Sequence, residues 1–169
     1  MIVSILEGSR DALREAVADI PEDGAARSPG AGRWSVLEVV EHLAIAERGM
    51  LSAFERARAS ETSLENKERE AEIMARLSDR EARREAPERA RPAGRFATLA
   101  QAFDQFLAAR AQTIELARTR ETDLYRLTVM HPFFGEVNGH EMLLIMAGHA
   151  RRHAEQIREI QTAAQPRST

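Results

Sequence analysis

The stretch "EMLLIMAGHARRHAEQIREI", residues 141–160, constrains the fold more than any other part of this chain. At about 100° per residue, as in an α-helix, Met142, Ile145, His149, His153, Gln156 and Ile160 fall within one narrow sector. A helix with such a stripe must lay it against other elements. The rest of the chain offers helices for the purpose: Ala, Leu, Glu and Arg dominate, aromatic residues are few, and β-branched residues are scattered.

Three further segments carry helical periodicity. One runs from about Ser4 to Asp19 and ends at Pro21 and the glycine-rich loop "PEDGAARSPGAGR". A second runs from about Ser35 to Ala59. Ser35 and Glu38 have the spacing of a capping box, and Trp34 precedes them as a hydrophobic staple against Val39. A third runs from about Thr98 to Arg118, with Leu99, Phe103, Phe106, Leu107, Arg110, Ile114 and Ala117 on its stripe. The terminal helix is capped by Asn138, with Glu141 at the box position, and runs to about Thr162. Before it, "TVMHPFFGEVNGHE" reads as a structured loop.

Residues 60–95 are highly charged, with Leu64, Ile73, Met74 and Leu77 as apolar anchors and Pro87, Pro92 and Gly94 as breakers. They read as one or two short, weakly packed helices and a loop, or as a partly disordered arm. The expected fold is all-α: a four-helix bundle with a long crossover between the second and third long helices. With 169 residues there is room for one core, so a single domain is expected over 1–163, with a frayed tail at 164–169.

Composition narrows the function. The formal net charge is -3, with no basic stripe, so nucleic acid is not an expected partner. The absence of cysteine excludes disulfides, thiolate metal sites and cysteine nucleophiles. No stretch reaches the roughly 18 apolar residues of a membrane span, and the N-terminus lacks the apolar core of a signal peptide. A cytoplasmic protein with no membrane partner is expected.

His149 and His153, at i and i+4, point the same way, and such a pair can place two imidazoles on one ion. A third ligand must come from another helix. His42, on the inner border of the second helix in "EVVEHLAIAE", is the best placed; His131 and His140 are poorer candidates. The alternative is a set of packing histidines satisfied by Glu38, Glu41 or Gln156.

Taken together, "RWSVLEVVEHLAIAERGM", "HPFFGEVNGHEMLLIMAGHARRHAEQI" and the spacing between them resemble the DinB-like (DinB/YfiT-like) family of helical bundles, described as metal-dependent enzymes. The resemblance covers almost the whole chain. It implies a divalent metal held by His42, His149 and His153, and a homodimer. Zinc, nickel and iron suit such ligands. It further implies a hydrolase or thiol transferase in which water or a thiol on the metal is the nucleophile. The substrate is then a small molecule, a low-molecular-weight thiol being one candidate. A non-enzymatic metal- or small-ligand-binding protein is the alternative.

Around the metal, Glu38 and Gln156 are candidates to orient ligand rings, Gln156 having an ordinary core-edge amide as its other reading. Glu41 and Glu155 are expected to face solvent, and Glu47 to turn away. His131 is a candidate loop-borne contact. Arg152 is either a substrate contact or a solvated helix arginine. Trp34, Phe133 and Phe134 either shape the pocket mouth or anchor the core.

Overall fold

The computed structural model describes residues 1–79 and 85–164. Its long helices are α1 (Ile2–Val17), α3 (Val36–Ala53), α5 (Leu99–Thr119) and α6 (Gly139–Ala164). They form a four-helix bundle in which α1 packs on α6 and α5, and α3 packs on α5 and α6. The shorter helices are α2 (Glu22–Ala25) and α4 (Lys67–Ser78). No helix among the described residues is long and apolar enough to cross a membrane.

The centre of α6 explains the arrangement. Met142, Leu143, Leu144, Ile145, Met146 and Ala147 are all buried, so this helix is apolar on every side and needs neighbours all round. Each such side chain contributes about 1.5–3 kcal/mol on leaving water, Ala less. Both expected capping boxes are present. Ser35 Oγ accepts from Glu38 N while Glu38 Oε2 accepts from Ser35 N. Asn138 Oδ1 accepts from Glu141 N, and Glu141 Oε2 from Asn138 N. The α5 start has Thr98 as its cap and also uses Glu22, whose carboxylate takes the amides of Leu99 and Ala100.

Three elements differ from expectation. The second helix stops at Ala53, and Arg58–Ala59 becomes a short strand, β1. The structured loop before α6 is a hairpin of β2 (Leu127–His131) and β3 (Gly135–Asn138), antiparallel throughout, with β1 on the free edge of β2. Gly135 takes a φ of 69° at the turn, a backbone conformation that glycine reaches without a Cβ penalty.

The third difference is the crossover. α4 is not weakly packed: Ile73 and Leu77 are buried in the main core, against α6. Gly148 makes this possible, since a Cβ there would lie 2.7 Å from Leu77 Cδ1. Residues 80–84 of the crossover and 165–169 of the expected frayed tail lie outside the described residues.

Candidate metal centre

His42 projects from α3, and His149 and His153 from successive turns of α6, where those helices pack together. His149 Nε2 lies 3.1 Å from His42 Nε2 and 3.1 Å from His153 Nε2. One ligand atom from each ring falls within 4.8 Å of the others. Three nitrogens on a tetrahedral ion, at bond lengths near 2.0–2.1 Å, stand about 3.3 Å apart.

The outer nitrogens settle the proton positions. His42 Nδ1 donates to the Ala90 carbonyl at 2.7 Å, and His153 Nδ1 to Gln156 Oε1 at 2.7 Å. Both rings therefore carry their proton on Nδ1 and turn a bare Nε2 lone pair toward His149. His149 Nε2 can donate to one of them at most. One of the two 3.1 Å contacts then has no proton between its nitrogens. Lone pairs facing one another in a partly buried cluster are costly, and a shared cation removes the conflict. Burial lowers the pKa of His149 well below its ordinary value, and its neighbours His153 and His42 lower it further. Burial also lowers that of His42, against the opposing pull of its bond to Ala90. Both rings are thus kept neutral, the form that binds metal. The residues present fit a divalent ion.

The histidines form part of the wall of a cavity of about 380 Å³, within the range of small-molecule sites. Trp34, Phe133 and Phe134 line it, and Trp34 and Phe134 also pack against the core. The Trp34 ring sits 5.1 Å from the His42 ring. Phe133 and Met130 leave large apolar surfaces exposed on its wall.

His131 also lines the cavity and is not a ligand. Its Nδ1 accepts from the amides of Phe133 (3.1 Å) and Phe134 (3.3 Å), which leaves the ring proton on Nε2. Burial, with help from the Arg89 charge, pushes its pKa down to about 4, so the ring is neutral at ordinary pH. His140 is on another face of α6, stacked on Tyr125 at 4.7 Å with Nδ1 3.1 Å from Glu70 Oε1.

Several expected roles change. Glu38 does not orient a histidine, because its carboxylate is engaged by the Ser35 amide at the start of α3. The Ala90 carbonyl, from the crossover, takes that place. Glu41 is buried rather than solvated: its Oε1 accepts from Ala93 N (2.8 Å) and Arg95 N (3.1 Å). It thereby pins the crossover beside the carbonyl that His42 uses. Arg152 lines the cavity but is not simply solvated; its guanidinium bonds the carbonyls of Leu77 and Asp79 at the end of α4. Gln156 does orient His153, and Glu155 is exposed.

Residues 5–157 match the DinB superfamily, and the chain belongs to that family of helical bundles. YuaE of Bacillus subtilis (strain 168), an uncharacterised protein, is 28% identical over 135 residues, which is 79% of this chain and 81% of YuaE. Among solved structures, the four-helix bundle protein TT2238 superposes with a TM-score of 0.59 at 21% identity, covering 94% of this chain and 96% of TT2238. YfiT from Bacillus subtilis, described as a probable metal-dependent hydrolase with an unusual four-helix bundle topology, gives 0.61 at 19% identity, covering 95% and 84%.

Proposed function

We propose that this protein is a metal-dependent enzyme, a hydrolase or thiol transferase, acting on a small molecule held in the cavity beside His42, His149 and His153. The convergence of three Nε2 atoms on the cavity wall carries this reading. The description of YfiT as a probable metal-dependent hydrolase supports it. Zinc, nickel or iron suits the donor set. A divalent ion supplies Lewis acidity, which acidifies water or a thiol and polarises a carbonyl.

The chain's own residues supply the rest. Ala90 and Gln156 hold the protons of His42 and His153 on their outer nitrogens, so both rings present lone pairs. His131, neutral and protonated on Nε2, offers a hydrogen-bond donor for charge developing on a substrate. Trp34, Met130 and Phe133 provide apolar surface that excludes water around the reacting atoms. Among the described residues, Glu85 is the carboxylate on the cavity wall, and it is paired with Arg91 at 3.1 Å. Proton abstraction by a free carboxylate is therefore not part of this reading.

The test is turnover by zinc-, nickel- and iron-loaded protein on panels of esters, amides and thiol-transfer pairs. The expected result is metal-dependent turnover of one class that His149→Ala abolishes. Fully loaded protein that turns over nothing on all three panels contradicts the proposal.

A further inference from the structure

Two of the four charged side chains on the cavity wall are paired with described residues. Arg152 is bonded to the end of α4, and Glu85 to Arg91. Arg56 and Arg89 are different. Both line the cavity, from opposite ends of the crossover, and both are exposed. Neither forms a hydrogen bond or ion pair with any described residue, whereas Arg58 close by is paired with Glu136 at 2.5 Å. The Arg89 charge is felt at His131, which ties it electrostatically to the cavity interior.

The remaining lining is largely apolar, including Ile45, Met50, Ile145 and Phe133. Two guanidiniums without a partner among the described residues, on the wall of such a pocket, set positive charge beside a largely apolar lining. Guanidinium forks match carboxylate and phosphate oxygens, and an anion is the partner that pairs with them.

We infer that the ligand of this cavity is a small molecule with an apolar body and an anionic head, and that Arg56 and Arg89 bind the head. The inference rests on the same cavity being the functional site proposed above, and it makes these arginines specificity determinants for that site. The apolar body lies along the lining toward the histidines and places its reacting group beside them. The anionic head stays at the rim, partly solvated.

Calorimetric binding of three probes to the full-length, zinc-loaded protein tests this: phenylpropanoate, phenylpropylphosphonate and the neutral phenylpropanamide. Zinc content is determined on every sample. The expected result is that one or both anions bind about ten-fold more tightly than the amide. The preference should vanish in an Arg56→Gln/Arg89→Gln double variant that still binds the amide. Equal binding of all three probes overturns the inference. So does a preference that survives in the double variant, since the head then contacts the ion instead, and the metal reading stands alone. A preference that vanishes in the double variant of a protein holding no zinc upholds the arginine assignment while the metal reading fails.

Discussion

Two polar clusters lie inside this bundle, and they are built in opposite ways. Arg110 on α5 is fully buried, and every part of its guanidinium is used. It makes a two-pronged pair with Glu47 on α3 (2.6 and 2.9 Å) and also bonds Ser9 and the Leu6 carbonyl on α1 and the Met146 carbonyl on α6. Thr113 adds a bond to Glu47 at 2.8 Å. That network touches all four long helices and leaves nothing for a ligand. The histidine cluster, which shares α3 and α6 with it, bonds through the outer nitrogens of His42 and His153 and brings the Nε2 atoms of all three rings together. One cluster ties the four helices together; the other turns ligand atoms toward a common point. In this molecule, burial of polar groups marks a site where their bonding capacity is left over, not where it is exhausted.

The largest effect that sharpens the contrast is on stability. Glu47→Ala leaves the Arg110 charge buried without a carboxylate and should cost about 3–5 kcal/mol in urea unfolding. Metal-free His149→Ala should unfold close to the metal-free wild type, because it removes a ring from an unsatisfied cluster. A His149 variant as unstable as the Glu47 variant breaks the comparison.

The next effect is a pH dependence beside the open cluster. His131 has a pKa of about 4 in the fold against 6.5 ordinarily. The unfolded chain therefore binds this proton first as pH falls. Stability should decline below pH 6.5 and level off below about 4, by up to about 3 kcal/mol. His131→Asn, which keeps an acceptor for the Phe133 amide, should flatten that part of the stability curve measured across pH on metal-free protein.

Smaller effects separate the ring-orienting groups from a helix cap. Gln156→Leu removes the acceptor for His153 Nδ1 and should weaken metal binding about 10- to 100-fold in competition titrations. Glu38→Ala should cost about 1 kcal/mol of stability through the lost cap and leave metal affinity unchanged. Loss of metal affinity in Glu38→Ala would restore the ring-orienting role that the structure removes from it.

The four long helices and both capping boxes were legible in the sequence, because periodicity and spacing encode which face each residue occupies; the same signals made His42 the best partner for His149 and His153, and the family resemblance implied the full set. Glu41 was misread because it borders the apolar side, and the amides that it binds lie about fifty positions away. Arg110 lay on the apolar stripe, yet its partner Glu47 carried no local signal at 63 positions' separation. The crossover was the least legible part. Ile73 and Leu77 were visible as anchors, but not that they are buried in the main core with Leu77 over Gly148 of α6, and the Ala90 carbonyl acts through the backbone, which side-chain patterns do not report. Nothing in the sequence sets Arg56 and Arg89 apart from the other arginines; their place on the cavity wall does.

The central claim is that three histidines from two helices hold one metal ion. Elemental analysis by inductively coupled plasma mass spectrometry, on tag-free protein purified without chelator or added metal, tests it directly. The wild type, Glu47→Ala and the three single variants His42→Ala, His149→Ala and His153→Ala would be measured side by side. The account predicts about one divalent ion per chain in the wild type and in Glu47→Ala, and its loss in each histidine variant. A metal-free wild type that also fails to take up zinc, nickel or iron on addition would contradict it, as would metal retained when any one of the three histidines is gone.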